Sequence, residues 1–382
     1  MKLRGRTDGL VHSPIGEAFN LLAAHTPTRP LLNLSQAAPS FPPPPVVADR
    51  IAAVAYEEAG ARYVPQQGLE SLRLALANEL TEQYPGTING DQVLITAGCN
   101  QAFCVMASAM TRPGDNLILA LPYYFNHDMW LEVEGVERRH LQPGADMVPT
   151  VEDAAALIDD RTRALVLVSP GNPSGVTLTP ELIGEFYDLC ADRGIALILD
   201  ETYRSYRGAS TPAHNLYERP DWSDHLVTLH SFSKDLAIPG YRVGAVVAAP
   251  GALSEAMKIV DCVAICAPRI GQEAALAGLL HATEWRAEQA RRIGERHEQF
   301  KTAMAQSPGG YELVSSGAYF GWVRHPDAGI PTLNVVAGLL SHKDVLVIPG
   351  TAFTPTDQQM LRLSFANLSE PEISDLAARL AE

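Results

Sequence analysis

From residue 92 onward, short unbroken apolar runs alternate with longer stretches whose apolar positions fall three and four apart. The runs Gln92 to Thr96, Asn116 to Ala120, Ala164 to Val168, Ile195 to Leu199 and Leu226 to Leu229 are expected to be strands, with Arg138 to Leu141 and Val243 to Ala249 as further candidates. Between them, Cys99 to Met110, Asn126 to Val133, Val151 to Ile158 and Pro180 to Arg193 have helical spacing. A strand with no polar alternation is buried on both faces. Such strands alternating with helices predict a mostly parallel sheet covered on each side.

The flanks have a different texture. Ile15 to Ala24 reads as a helix with Ser13-Pro14 at its start, and Leu31 to Leu34 as a short strand. The prolines Pro42 to Pro45 suit an extended linker. Val46 to Glu58 and Leu69 to Gln83 are helical, separated by the turn Tyr63 to Gly68. After Val246 the chain is mainly helical to about residue 306, including a long helix from Glu284 to Ala305. Tyr311 to Val323 and Val345 to Ile348 are expected as strands around a helix from Leu333 to Leu340. Met360 to Phe365 is a last strand, and a helix from Glu372 to Leu380 follows the capping box of Ser369 and Glu372. The expected architecture is α/β: a three-layer α/β/α large domain over 46–285, and a smaller α+β domain made of 1–45 with 286–382.

Composition narrows the function by exclusion. With 29 Lys and Arg against 44 Asp and Glu, the net charge of −15 argues against nucleic acid as a partner. No apolar run reaches membrane-spanning length, and the basic start, Met1 to Asp8, lacks the apolar core of a secretory signal. Five scattered cysteines suit neither a disulfide framework nor a metal site, so reduced thiols in a cytoplasmic protein are expected and no metal.

The unusual polar residues gather where strands end, which is where open α/β sheets carry function. Lys234 follows one strand within His230-Ser-Phe-Ser-Lys-Asp, in a loop flanked by hydroxyls, with Arg242 eight residues on. Such a lysine is a candidate carbonyl-reactive amine. Asp200 closes an apolar strand, where a carboxylate needs a partner to stay ionised. Asn172 sits in the rigid Ser169-Pro-Gly-Asn-Pro-Ser-Gly175 loop. Gly98-Cys99-Asn100 joins a strand to a helix, turning backbone amides toward an anion. It has neither dinucleotide nor P-loop spacing, and with Ser231, Ser233 and Arg242 it suits a single phosphate. A ligand with one phosphate, a basic ring nitrogen for Asp200 and an aldehyde for Lys234 is pyridoxal 5'-phosphate.

Asn-Pro-x-Gly at 172–175, Asp-Glu-x-Tyr at 200–203, and Ser-x-Ser-Lys with Gly-x-Arg-x-Gly at 231–244 together resemble the class I aminotransferases, fold type I enzymes that use pyridoxal phosphate. The resemblance implies that Lys234 holds the cofactor as an internal aldimine and moves the proton during a ping-pong exchange of amino groups. It implies that Asp200 keeps the ring nitrogen protonated, that Asn172 and Tyr203 bond the ring oxygen, and that Tyr124 stacks on the ring. Amides of Cys99 and Asn100, with Ser231, Ser233 and Arg242, are implied to take the phosphate. Tyr63 is implied to reach the phosphate of a second subunit, hence a homodimer. Arg362 and Asn172, with the backbone at Ala37, are implied to bind the carboxylate of an amino acid or 2-oxo acid. Family members often have glycine where Ala37 stands. The stretch 259–268, where relatives specific for acidic donors supply a cation, contains no Lys or Arg, so a neutral or hydrophobic donor is expected. The alternative within the same fold is a C–S lyase, ring-forming synthase, oxidase or other α-carbon enzyme.

Overall fold

The computed structural model describes residues 5–8, 10, 12–208 and 211–382. Seven strands form the main sheet, in the spatial order Val93–Thr96, Gly244–Val247, Leu226–Ser231, Ala196–Asp200, Thr162–Val168, Asn116–Ala120 and Glu137–Leu141. All run parallel except Gly244–Val247, which is antiparallel to both neighbours. The period-two alternation of strand side chains divides each strand between two cores. Leu165, Leu167, Leu197 and Leu199 enter one, under the helices Glu70–Gln83 and Pro180–Asp192. Ala164, Val166, Ala196 and Ile198 enter the other, against Cys99–Met110 and Pro250–Ala264. The apolar runs are unbroken because both faces are covered.

The second sheet has four antiparallel strands in the order Ile348–Pro349, Met360–Leu363, Phe320–Arg324 and Glu312–Gly317. Its own core includes Phe300, Tyr319, Phe320, Leu361 and Phe365. Leu32–Asn33 pairs with Val345–Leu346, fastening the N-terminal segment to this half. The helix Thr283–Met304 runs from beside the main sheet to the second one. Between the halves, Phe125 and Met129 meet Ala18, Trp322, Ile348 and Phe353 in one apolar cluster.

Several local expectations change. Lys234 lies in a one-turn helix, Phe232–Asp235, rather than a loop, because the Ser231 hydroxyl accepts the Ser233 amide and starts a turn. Ser13 stands at the N-cap of the helix Pro14–Ala23 and its carbonyl accepts the Glu17 amide at 3.0 Å, but its side chain makes no cap bond; the residue also lines the main cavity. Pro44 and Pro45 open the helix Pro45–Tyr56 instead of extending the linker, since proline's fixed φ suits a first turn. The apolar run from Tyr311 to Val323 divides into two strands at Ala318-Tyr319, Ala318 having φ +47°. The capping box of Ser369 and Glu372 is present.

Candidate active site

One cavity of about 430 Å3 opens at the carboxyl ends of the parallel strands, where the second sheet leans over the first. Ala37, Cys99, Asn100, Tyr124, Asn172, Asp200, Tyr203, Ser231, Ser233, Lys234, Arg242 and Arg362 all line it. Tyr63 is the one candidate that lies elsewhere; it is 76% exposed on the surface.

The anion end of the cavity is backbone. Gly98 has φ +86°, a backbone that favours glycine, and an Arg242 Nη stands 2.3 Å from where a Cβ would be, over the first turn of Cys99–Met110. Arg242 bonds only carbonyls, those of Pro239 at 2.8 Å and Ala97 at 3.4 Å. Its charge stays available to an anion at the helix N-terminus.

Asp200 is 4% exposed at the end of its strand. The Thr202 amide donates to one oxygen at 2.9 Å, and the Cys99 thiol lies 3.6 Å from the same oxygen. His127 Nε2 is 3.5 Å from the other. Burial pushes the Asp200 carboxyl up, but His127 and Thr202 more than offset it and leave the group below its ordinary range. Burial and the neighbouring Asp200 push the Cys99 thiol well above its ordinary value, which leaves it a protonated neighbour and not a nucleophile.

The lysine is half-buried and has no carboxylate partner among the described residues. Its Nζ donates to the Ala37 carbonyl. Burial, with the charges of Arg362 and Arg242, brings its amine down to about 8. A lysine held near neutrality is a usable nucleophile and base.

Arg362, 2% exposed, comes from the second sheet and pairs in register with Trp322. It donates to Asn172 Oδ1 at 3.2 Å and to the Ser35 carbonyl, between the rings of Phe320 and Phe353. No carboxylate neutralises it among the described residues, its Nε has no partner, and burial pushes it down to about 10. A buried guanidinium left without a counter-ion is costly, and a ligand carboxylate removes that cost. The Asn172 loop reaches this position by close backbone approach: a Cβ at Gly175 would be 2.2 Å from the Gly317 amide.

Sequence reasoning missed His127, Thr202 and the wall made by Ser13, Ile15, Gln36, Phe125 and Asn126. His127 was visible three residues after Tyr124, on the same face of the helix Phe125–Glu134. Its ring stacks on Phe103 at 3.9 Å, which aims it at Asp200. His127→Phe keeps the stack and removes the nitrogen. It is expected to lower kcat about tenfold, because Asp200 loses the partner that most favours its ionised form, with stability little changed. Steady-state kinetics beside thermal unfolding checks this.

Tyr124 donates to Asn100 Oδ1 and accepts from the Asn126 amide, each at 3.2 Å, which fixes its ring at the cavity wall. Among the described residues no cluster of His, Cys, Asp and Glu suits a metal, and no helix is long and apolar enough to cross a membrane.

Residues 29–380 match the family model described as aminotransferase class I and II. The chain is 31% identical over 361 residues to the aromatic aminotransferase ISS1 of Arabidopsis thaliana, covering 91% of this chain and 88% of the relative. It is 29% identical over 358 residues to the arginine–pyruvate transaminase AruH of Pseudomonas aeruginosa, with 89% and 87% covered. The solved aspartate aminotransferase of Thermotoga maritima superposes with a TM-score of 0.89 over 99% of each chain at 23% identity, a likeness of fold. With a match running through nearly its whole length, the chain belongs to the class I and II aminotransferase family.

Proposed function

We propose that this transaminase uses pyridoxal 5'-phosphate to move the amino group of a neutral or hydrophobic amino acid to a 2-oxo acid, by a ping-pong exchange. The observation that carries the reading is one cavity shared by a half-buried lysine held near 8, a buried carboxylate, and a buried guanidinium with no counter-ion among the described residues.

The residues present fit that cofactor. The glycine cradle at Gly98, with the amides of Cys99 and Asn100, Ser231, Ser233 and Arg242, suits one phosphate. When bound, the cofactor supplies an aldehyde and a protonated ring that draws electrons from the substrate Cα. Asp200 would keep the cofactor's ring nitrogen protonated, Tyr124 would offer an aromatic face to the ring, and Asn172 and Tyr203 would serve as donors to the ring oxygen. Arg362 grips the substrate carboxylate with both Nη atoms, aided by Asn172 and the backbone at Ala37. Lys234 would hold the cofactor through its aldehyde and, once the substrate amine has displaced it, its freed amine would be the base that carries the substrate Cα proton.

Support for the donor class comes from the wall facing the substrate side chain. Ser13, Ile15, Phe125 and Asn126 present no charge there, and Gln36 is neutral. Among the described residues the cations on the cavity are Lys234, Arg242 and Arg362, each already assigned. The same reading takes 46–285 as the cofactor-holding domain and 1–45 with 286–382 as the smaller one. It also takes the protein as a cytoplasmic homodimer, with Tyr63 of one protomer reaching the phosphate site of the other. Tyr56, Tyr63 and Val263 are 93%, 76% and 65% exposed, and a second copy of the chain gives such residues a partner.

An amino-donor panel with pyruvate and 2-oxoglutarate tests this. Phenylalanine, methionine and leucine are expected to exceed aspartate, glutamate and arginine in kcat/KM by at least about tenfold. Preference for aspartate or glutamate sinks the donor class. Keto acid formed without matching amino-acid product sinks transamination itself.

A further inference from the structure

Behind Lys234, on the side away from the cavity, lies a buried set of four ionised side chains drawn from four elements. Glu79 comes from the helix Glu70–Gln83 and Arg204 from the one-turn helix Arg204–Tyr206. Asp235 is the residue after the lysine, and Arg286 stands in the first turn of Thr283–Met304. Their side chains are 6–12% exposed. Arg286 grips both Glu79 oxygens, at 2.5 and 2.9 Å, and reaches Asp235 at 3.5 Å. Arg204 meets Glu79 at 2.5 Å. Burial pushes Glu79 up, but the two arginines more than offset it and bring its carboxyl down to about 2.

The turn Arg204–Tyr206 adds two bonds from hydroxyl donors. The Ser205 hydroxyl donates to Asp235 at 2.9 Å, and the Tyr206 hydroxyl donates to the Lys234 carbonyl at 2.9 Å. Tyr206 in turn packs edge-on against Tyr319 beside the second sheet, 4.9 Å between ring centres.

Two features show why the lysine needs outside support. Its helix is four residues long, too short to hold its own orientation. Three and eight residues after the lysine, Ala237 and Arg242 have φ +53° and +50°, a left-handed backbone that non-glycine residues keep only when their surroundings hold it. Stability alone is a poor reason for four buried charges, since apolar packing of similar volume commonly does as well.

We propose that Arg286 is a positioning residue for Lys234: fixed by its grip on Glu79, which Arg204 shares, it meets with Ser205 one oxygen of Asp235, and so ties the helix leading to the second sheet to the turn that carries the reacting amine. The proposal rests on Lys234 being that amine. The groups facing the lysine across the cavity are Asp200, Tyr203, Tyr124, Cys99, Arg242 and Arg362, and the variants below alter none of them.

Two readouts test it in wild type, Arg286→Met, Arg286→Lys and Ser205→Ala. One is the pH midpoint for acylation of Lys234 by an amine-reactive reagent in cofactor-free protein, followed by peptide mass spectrometry. The other is the division of any loss between kcat and KM. In Arg286→Met the midpoint is expected to rise from about 8 toward the solvent value of about 10.5, because a freed turn lets the amine reach water. The same variant is expected to lose about tenfold in kcat with KM within about threefold. Arg286→Lys should recover part of both, having the charge but not the two-pronged grip. Ser205→Ala removes one hydroxyl, and should move the midpoint the same way even if Arg286→Met fails to fold. A midpoint unchanged in every folded variant, with only the unfolding temperature lowered, overturns the proposal and leaves the cluster structural. A wild type whose Lys234 never links to pyridoxal phosphate overturns instead the reading on which it stands.

Discussion

Lys234→Ala is expected to abolish the visible absorbance that a protein-linked pyridoxal ring gives, and to lower transamination by about 10^4-fold or more. The protein should still fold, because the lysine makes one side-chain bond, to the Ala37 carbonyl, and losing it removes a buried charge. Uptake of cofactor by the wild-type apoprotein carries the same signature in pH. The neutral amine is the form that attacks, so the rate should climb with pH and level off above about 8 rather than above 10. A wild-type protein that acquires no absorbance with added cofactor, or a variant that keeps the band, removes Lys234 from the reaction.

Arg362→Leu comes next in size. Two charge-assisted hydrogen bonds to a carboxylate are at stake, each worth about 1.5–3 kcal/mol. The expected loss is about 10^3-fold in kcat/KM for every amino acid, irrespective of side chain. Arg362→Lys should fall between, since an ammonium offers a point charge in place of a fork. The leucine variant has a second effect that a purely substrate-binding role does not require: without the nearby guanidinium the Lys234 amine titrates higher, and the pH at which cofactor uptake levels off moves up. Full kcat/KM in Arg362→Leu excludes it as the carboxylate grip. Loss confined to some side chains points to a role in donor choice.

Much of this arrangement was legible because its signals are local. Unbroken apolar runs such as Leu197 to Leu199 name a strand covered on both faces without reference to the rest of the chain. Residues that close those runs, Asp200 and Ser231 among them, come to one edge because parallel strands put all their carboxyl ends there. Pairings between distant segments were not legible. Nothing near Asp235 announces Arg286, fifty-one positions away, and nothing near Asp200 announces that His127 faces it. Ser13 and Pro14 do open their helix, and only the cap bond of the Ser13 hydroxyl is missing, for a related reason. A hydroxyl before a proline is a fair candidate to start a helix, but whether it bonds backward or faces a cavity depends on what the rest of the chain places opposite. The one-turn helix at Lys234 was hidden by its shortness, since four residues carry no periodicity to read.

The single antiparallel strand of the main sheet acts as a ruler. Ser231 and Gly244 face each other as paired residues, so the segment between them leaves and re-enters the sheet at one point. Lys234 and Arg242 stand on that closed excursion, and the length of chain joining them is the gauge between the amine and the anion cradle. The separation of Lys234 from Arg242 thus depends on a count of residues, and an insertion between 235 and 241 is expected to alter it while every strand stays in register.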